Sequence, residues 1–318
     1  MNYKFYMDQR YKIFTWPIRQ QYLFALAQGD FEIYIPEGQN ESFRRQFSLQ
    51  KNVIETAASA IKELELDCIL FQDEHSYQTD QYEILSDKQR ELPKIYLEHH
   101  PPKQHPTNAK HIVEDQDVHL VHVNHYNALM WDNNQLPVTV IENGAPTDTV
   151  SFSGEKACGV VVLDEHPVDD QVGGHTVFMQ VKEALPLDVI QIGKKDVTYQ
   201  NLPEKISQYR FLFCPDLYAS PGFTVYQAMM MGMPVVGLAT TELPTLIGNE
   251  VSGFVHSDLN YLIDKMQELL DGPQLAVQIG AKARHSALHL FNLNRFSTEW
   301  KQLFTDAVVK NNSLLTKI

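Results

Sequence analysis

Short apolar and β-branched runs alternate along this chain with longer segments of helical periodicity. This order is typical of parallel sheets whose strands are connected by crossing helices. The predicted strands lie at 32–35, 67–71, 94–99, 118–123, 138–142, 159–164, 187–193, 210–215, 233–238 and 252–256. The predicted helices lie at 20–28, 53–64, 125–132, 176–184, 223–231, 260–270, 274–290 and 294–307. The sequence therefore predicts an α/β fold.

At 318 residues, the chain is too long for most single hydrophobic cores. The segment 144–156, GAPTDTVSFSGEK, is rich in Gly, Ser, Thr and Asp and has no period, so it is the best domain boundary. We predict one Rossmann-like domain over 1–150 and a second Rossmann-like domain over 151–292. A closing helix over 293–318, with Asn294 as its N-cap, is expected to cross back to the first domain.

The net charge of −14 opposes binding to nucleic-acid backbones or anionic lipids. No apolar stretch approaches the ~20 residues that span a bilayer, and the start MNYKFYMDQRYKIF lacks the apolar run of a signal peptide. We therefore expect a soluble, cytoplasmic protein without a transmembrane segment. Its three cysteines, Cys68, Cys158 and Cys214, are widely separated and are expected to be reduced core residues.

The segment 215–238, PDLYASPGFTVYQAMMMGMPVVGL, has the order strand end, loop, helix, tight turn and strand. The first backbone N–H groups of a helix have no partner within the helix, and the helix dipole makes that end positive. A diphosphate could therefore dock at Gly222, Phe223 and Thr224 without a lysine. On the residues alone, an ordinary strand-to-helix connection explains this segment equally well.

Four segments, in this order along the chain, resemble the retaining GT-B glycosyltransferases of family four. VTVIENG resembles the VIPNGVD that precedes the donor-binding domain of that family. The family's GFG-type loop, followed by EAM and PVV, is matched by PGFTVYQAMMMGMPVVGL. Its NG-x-SGFL motif is matched by GNEVSGFV. FNLNRFSTEWKQLF resembles its closing helix. The resemblance covers the second half of the chain well and the first half poorly.

The resemblance implies a GT-B fold, in which two Rossmann-like domains turn their parallel sheets toward a central cleft. It implies a hexosyltransferase-type enzyme that moves a sugar with retention from a nucleotide-diphosphate sugar, a UDP- or GDP-sugar, to a glycan or small-molecule acceptor. Neither a metal nor another cofactor is expected. The donor base, the donor sugar, the acceptor and the oligomeric state are not indicated.

In the family, two glutamates eight positions apart flank the loop, and they contact the donor sugar and the ribose diol. Their positions hold Ala219 and Gln227 in this chain. Gln227 can still bond a diol, although a hydrogen bond to a neutral group stabilises by roughly 0.5–1.5 kcal/mol and one to a charged group by roughly 1.5–3 kcal/mol. Ser220 or Asp216 could reach the sugar if the loop ran differently.

The family also has a basic pair that neutralises the leaving diphosphate. Its positions fall on Asp164 or Glu165 and on Gly173. Backbone N–H groups at Gly173 and Gly174, before a predicted helix, could take over this task. Two further donor-side candidates are Gly193, which ends the second predicted strand of this domain, and Lys194, which follows it. A solvated loop is the alternative.

In the first half, EHHPPKQHP places His99, His100 and His105 after a predicted strand. The carboxyl ends of strands in open α/β sheets face the ligand crevice. Because the resemblance implies a histidine that contacts the donor sugar from such a loop, His99 is the catalytic candidate and His100 is an acceptor-side candidate. A polar loop stiffened by prolines is the alternative.

Trp16, before the first predicted helix, is predicted to contact the acceptor, with a core position as the alternative. A zinc site is not predicted, because His119, His122 and His125 are three apart along the chain and alternate between the faces of a strand.

Two readings of the function remain. The first is a glycosyltransferase. The second is a degenerate GT-B protein that binds a sugar or a partner enzyme without turnover, which the missing carboxylates and cations favour. A sugar-nucleotide 2-epimerase would need a carboxylate pair that the sequence does not provide, and the net charge disfavours glucosylation of DNA.

Overall fold

Residues 7–38, 50–103, 109–147, 150–164 and 170–315 are described by a computed structural model. The chain divides into two units, Met1–Gly144 with Leu293–Ile318, and Ala145–Asn292. Each unit contains one parallel sheet with helical connections, which confirms the predicted α/β fold.

The first unit contains a seven-stranded sheet in the order β3-β2-β1-β4-β5-β6-β7. Its strands are β1 (Tyr11–Thr15), β2 (Phe31–Pro36), β3 (Val53–Thr56), β4 (Cys68–Phe71), β5 (Lys94–Glu98), β6 (Val118–His122) and β7 (Val138–Val140). The helices between them are α1 (Gln20–Leu26), α2 (Ala58–Ile61), α3 (Gln81–Ile84), α4 (Asp87–Arg90) and α5 (His125–Met130). A π-helical turn, Ser76–Asp80, precedes α3.

The second unit contains a five-stranded sheet in the order β12-β11-β10-β8-β9. Its strands are β8 (Lys156–Leu163), β9 (Leu187–Gln191), β10 (Tyr209–Cys214), β11 (Val235–Leu238) and β12 (Gly253–His256). Its helices are α6 (Asp170–Gly173), α7 (His175–Ala184), α8 (Leu202–Ile206), α9 (Phe223–Met231), α10 (Leu243–Leu246), α11 (Leu259–Asp271) and α12 (Pro273–Leu290).

The last helix, α13 (Leu293–Leu315), returns to the first unit. Trp300 and Phe304 are fully buried, and the Trp300 Nε1–H donates to the Tyr22 hydroxyl at 2.9 Å. The Phe304 ring meets the Phe31 ring edge-on, with 5.2 Å between centroids. The helix begins one residue before Asn294, so Asn294 lies inside it and is not the predicted N-cap.

Two strands of the first sheet, β1 and β3, were not predicted. Residues 53–64 were predicted as a helix, but Val53–Thr56 is strand β3 and only Ala58–Ile61 is helical. Val53 pairs with Ile33 of β2. Pairing with an existing edge strand suits the β-branched run Val-Ile-Glu-Thr better than an isolated helical turn would.

The strand order of each sheet reverses once. In the first sheet the reversal lies between β1 and β4, and in the second it lies between β8 and β10. The connections leave the two strands of such a pair toward opposite sides, which opens a crevice at their carboxyl ends. The loops after β1 and β4, and those after β8 and β10, are therefore the places in each unit best suited to hold a ligand.

No helix within the described parts of the chain is both long and apolar enough to cross a membrane. The three cysteines are buried free thiols, as predicted.

Candidate functional site

The loop from β10 to α9 ends at a helix start that faces open space. Gly222 is the N-cap of α9, with φ −82° and ψ 171°, and it makes no side-chain hydrogen bond to the first turn. A Cβ added at Gly222 would meet no atom within 4 Å. The first turn of α9, with Phe223 and Thr224, therefore presents its positive end to space that an anion can enter.

This loop is held in place by hydroxyl groups. The Thr240 Oγ1 donates to the Asp216 carbonyl and the Thr241 Oγ1 to the Ala219 carbonyl, both at 2.8 Å. The Tyr226 hydroxyl donates to the carbonyl of Pro221 at 2.8 Å. Because three separate bonds fix its backbone, the loop that carries Ser220 and leads to Gly222 has a defined path.

The second loop of this switch point, between β8 and α7, touches the first. The Val172 carbonyl accepts from the amides of Leu217, at 2.9 Å, and Tyr218, at 3.1 Å. Gly174 has φ +65°, and a Cβ there would lie 2.1 Å from the carbonyl oxygen of Pro215. Only glycine fits this approach, so Gly174 places the N-terminus of α7, with Gly173 just before it, beside the loop that carries Gly222.

Gln227 lies one turn into α9, and only the nitrogen of its side-chain amide forms a hydrogen bond among the described residues. Its Nε2 donates to the carbonyl of Tyr199 at 2.9 Å. Its Oε1 is buried and has no hydrogen-bond partner within the described parts of the chain. The carbonyl can only accept, so it fixes the amide orientation and leaves Oε1 as the acceptor. An unmade buried bond of this kind costs roughly 1–3 kcal/mol, which a ligand hydroxyl would recover.

Tyr199, which lies in the segment after β9, connects Gln227 to the loop after β8. Its hydroxyl donates to the carboxylate of Asp164, which follows β8. Its ring meets the Phe223 ring edge-on, with 6.4 Å between centroids. Gln227 is thus supported by the loop after β9 as well as by its own helix.

Gly193 and Lys194 lie in a tight turn after β9. The Gly193 amide donates to the Val197 carbonyl at 2.9 Å, and the Val197 amide donates to the Lys194 carbonyl at 3.0 Å. Lys194 is exposed, and β8 separates β9 from β10. Among the residues with described placement, no hydrogen bond joins Lys194 to the loop that carries Gly222. Lys194 therefore stays a candidate donor-side cation on an exposed turn.

Two carboxylates near the loop are engaged with neighbouring groups. The Asp216 carboxylate accepts from the Cys214 thiol at 3.0 Å, and burial raises the pKa of Asp216. Glu242 was not singled out from the sequence. It is 5% exposed, follows Thr241 and accepts from the Thr245 hydroxyl at 2.7 Å.

In the first unit, Gln72 spans the switch point between β1 and β4. Its Nε2 donates to the Thr15 hydroxyl at 3.0 Å and to the Trp16 carbonyl at 3.2 Å. Its Oε1 lies 3.1 Å from the Nε2 of His99. Because the carbonyl fixes the Gln72 amide, His99 must carry its proton on Nε2. Burial and the charge of Arg19 hold the pKa of His99 well below its ordinary value, so the ring is neutral and Nδ1 is an acceptor.

His100 is held by its backbone and by its ring. Its amide donates to the Glu98 Oε1 at 2.8 Å, and its carbonyl accepts from the Trp131 Nε1 at 2.9 Å. Its Nε2 accepts from the guanidinium of Arg19. Burial, and then the charge of Arg19, lower the pKa of His100 to about 4. The structure therefore gathers Arg19, Gln72, His99 and His100 at one switch point, although the sequence pointed only to the two histidines.

For Trp16 the structure favours the core position that the sequence left open as the alternative to an acceptor contact. It is 1% exposed, stacks on the Phe71 ring with 5.4 Å between centroids and meets Phe14 edge-on at 5.0 Å. Its ring is a core anchor, because β1 and β4 are neighbours and bring Phe14 and Phe71 to both sides of the indole. His105 and Glu165 lie outside the described residues. In the described ranges, no group of three or more His, Cys, Asp or Glu side chains is arranged to hold a metal ion.

Comparison with known sequences gives short matches. No protein-family model matches the chain. It is 36% identical over 63 residues, 20% of its length, to a trehalose synthase of Pyrococcus horikoshii. It is 24% identical over 110 residues, 33% of its length, to a poly(ribitol-phosphate) alpha-N-acetylglucosaminyltransferase of Staphylococcus aureus. These matches span only 15% and 22% of the relatives' own lengths.

Comparison with solved structures covers nearly the whole chain. A sucrose-phosphate synthase from Thermosynechococcus elongatus superposes with a TM-score of 0.69 at 14% identity, over 95% of this chain and all of the other. HepE of Anabaena in complex with UDP superposes with a TM-score of 0.67 at 12% identity, over 93% of this chain and all of the other. HepE has also been solved with UDP-glucose, and that structure superposes with a TM-score of 0.68. The chain has the GT-B fold, which confirms the fold that the resemblance implied.

Proposed function

We propose that this GT-B chain is a glycosyltransferase that moves a sugar from a UDP-sugar to an acceptor, with retention and without a metal ion. The observation that carries the proposal is the unpartnered, buried Oε1 of Gln227 behind the open helix start at Gly222. A nucleotide has the two complementary groups, since its diphosphate suits the helix start and its ribose hydroxyls suit the amide oxygen. The similar structure of HepE was solved with UDP and with UDP-glucose.

In this proposal the diphosphate is bound chiefly by backbone groups. The first turn of α9, at Gly222, Phe223 and Thr224, supplies one set, and the α7 N-terminus after Gly173 and Gly174 supplies another. Helix starts of this kind stabilise negative charge without side-chain cations. Lys194, on the exposed turn after β9, is proposed to act on the diphosphate only through its charge. Gly193 shapes that turn through the hydrogen bond from its amide to the Val197 carbonyl.

Ser220, in the loop tethered by threonines, is proposed to face the sugar. The Gln227 Oε1 is proposed to accept from a ribose hydroxyl, in the position where the family has a glutamate. Because the acceptor is a neutral amide, we expect weaker nucleotide binding than a carboxylate would give. His99, as a neutral ring with a free Nδ1 acceptor, is proposed to bond a substrate hydroxyl.

Catalysis would then depend on position and charge. The bond from the sugar to the diphosphate breaks, negative charge develops on the leaving group, and the oriented helix start stabilises that charge. No enzymatic nucleophile is assigned. The acceptor hydroxyl attacks the sugar and its proton leaves with the diphosphate.

A degenerate GT-B protein that binds a sugar or a partner enzyme without turnover is the second candidate, because Ala219 and Gly173 replace a carboxylate and a cation of the family pattern. The two are separated by incubating the chain with radiolabelled UDP-glucose, UDP-N-acetylglucosamine and GDP-mannose and measuring nucleotide binding and the release of UDP or GDP. Binding with turnover supports the enzyme. Binding without hydrolysis or transfer supports the degenerate protein, and failure of every nucleotide to bind contradicts the enzyme.

A further inference from the structure

Arg19 is a cation at the switch point of the first sheet that has no acidic partner. It lies in the loop after β1, directly before α1, and its side chain is partly buried. Its Nη2 donates to His100, while its Nε is buried and has no acceptor in the part of the chain that the structure describes. No Asp or Glu in the described parts of the chain forms an ion pair with it.

Three of the other described arginines form ion pairs. Arg10 lies 3.4 Å from Asp30, Arg90 pairs with Asp87, and Arg295 lies 2.6 Å from Glu299. Two more have no ion pair among the described residues but donate to backbone carbonyls, Arg210 to those that end α11 and Arg284 to that of Met230. The Nε atoms of Arg19 and Arg210 are both buried without an acceptor in the described parts of the chain. Arg19 differs from Arg210 in that its described acceptor is a neutral imidazole and not a pair of carbonyl groups.

The imidazole cannot neutralise this charge. A guanidinium only donates, so the His100 Nε2 that it meets is unprotonated and the ring is neutral. The nearby carboxylate of Glu98 is already engaged, because it accepts from the His100 amide and lies 3.4 Å from the Nε2 of His111. A partly buried cation without a counterion costs free energy, and a bound anion would recover it.

We propose that Arg19 and His100 form an anion site that binds a phosphate or carboxylate group of the acceptor. This rests on the proposed function, which places the donor diphosphate in the second unit and leaves the switch point of the first for the other substrate. A guanidinium with several free N–H donors suits the planar or tetrahedral oxygens of such a group. The Nδ1–H of the neutral His100 ring is a further donor. The acceptor class is therefore an anionic sugar or polyol.

The test measures binding of matched neutral and anionic sugars by titration calorimetry. Glucose is compared with glucose 6-phosphate, glucose 1-phosphate and glucuronate, and inorganic phosphate serves as competitor. We expect at least one anionic sugar to bind about tenfold or more tightly than glucose, and phosphate to compete with it. Tighter binding of a glucose phosphate indicates a phosphate site, and tighter binding of glucuronate indicates a carboxylate site. Equal binding of glucose and all three anionic sugars overturns the proposal.

Two variants assign the preference to this site. Arg19→Gln removes the charge but keeps a donor for His100, and we expect the preference for the anionic sugar to fall to about twofold or less. Arg10→Gln removes an exposed, ion-paired arginine and is expected to keep the preference. If Arg19→Gln also keeps it, the proposal is wrong. If that variant does not fold, the competition is repeated in the unmodified chain with saturating UDP, which fills the proposed diphosphate site. Competition by phosphate that persists with UDP bound supports a separate anion site, and competition that disappears overturns the proposal.

The affinity for UDP, measured in parallel, separates this inference from the proposed function. Arg19→Gln is expected to bind UDP within about twofold of the unmodified chain, because the diphosphate site belongs to the other unit. A chain that binds the anionic sugar but no nucleotide would contradict the proposed function and leave the anion site standing.

Discussion

The side-chain amide of Gln227 donates to the carbonyl of Tyr199 at 2.9 Å and leaves its own oxygen buried, with no partner within the described ranges. The Gln227 Oε1 is thus an acceptor held in a fixed direction, and no described donor forms a hydrogen bond with it. Such groups are rare in folded proteins and call for an explanation. A ribose hydroxyl is the partner that the proposed function supplies.

Replacing Gln227 by leucine removes this acceptor at nearly constant volume. We expect UDP to bind about 3- to 10-fold more weakly, which corresponds to one lost neutral hydrogen bond. Calorimetry with UDP and with 2′-deoxy-UDP and 3′-deoxy-UDP tests the cause. The unmodified chain should favour UDP over at least one deoxy analogue, and Gln227→Leu should not. If the variant keeps the full discrimination, the oxygen does not contact the ribose.

Replacing Gly174 by alanine should break the contact between the loops after β8 and β10. The residue has φ +65°, and the new Cβ would lie 2.1 Å from the carbonyl oxygen of Pro215. We expect a loss of about 2 kcal/mol or more in the free energy of unfolding, measured in urea, together with weaker UDP binding. Gly222→Ala is the matched control. Its φ is −82° and its surroundings are open, so its stability should change by less than about 1 kcal/mol.

Stability should fall between pH 7 and pH 4, in part because of His122. Burial lowers the pKa of His122 to about 4, against about 6.5 in the unfolded chain. In this interval His122 is protonated in the unfolded state and neutral in the folded state. The stability contribution that is present above pH 6.5 is therefore lost as the pH falls. The loss from this residue alone is on the order of 3 kcal/mol.

His122→Gln isolates that contribution. The glutamine can still donate to the Asn133 Oδ1, which the His122 Nε2 contacts at 2.8 Å. Urea unfolding at pH 7 and pH 4 should show a smaller decrease for the variant than for the unmodified chain. An equal decrease in both would mean that His122 does not contribute to the acid sensitivity.

Replacing Trp300 by alanine should destabilise the first unit by about 3–5 kcal/mol, the usual cost of emptying the site of a large buried aromatic side chain. The indole is fully buried and donates to the Tyr22 hydroxyl at 2.9 Å. Lys301→Ala, at the next position of α13, removes only an ion pair with Asp30 at 3.3 Å and should cost less than about 1 kcal/mol. Denaturant unfolding of both variants gives the comparison, and similar losses would contradict the assigned packing of α13.

Much of the fold could be predicted because the informative patterns are local. The segment Phe223–Met231 was predicted with the bounds that the structure shows, since Gly222 and Gly232 mark both ends. The strands β1 and β3 were missed, because short runs such as Tyr-Lys-Ile-Phe-Thr become recognisable only when a neighbouring strand pairs with them.

The candidate site residues that the sequence offered are those carried by a single segment. Gly222 and Gln227 lie on one loop and helix, and His99 follows a strand that the sequence predicts. Arg19 and Gln72 were missed because their contacts depend on β1 and β4 being neighbours, which the sequence does not state. The sequence left Trp16 between an acceptor contact and a core position for the same reason, since Phe71 reaches it across that pair of strands.

The most direct test of the donor site compares Gly222→Asp with Gly222→Asn in calorimetric titrations with UDP. Both side chains have nearly the same shape, fit the open N-cap position and should stabilise α9. Only aspartate places a negative charge where the diphosphate is proposed to bind. The account predicts that Gly222→Asp binds UDP about tenfold or more weakly than Gly222→Asn. Equal affinity in the two variants, or binding of both as tight as that of the unmodified chain, would contradict it.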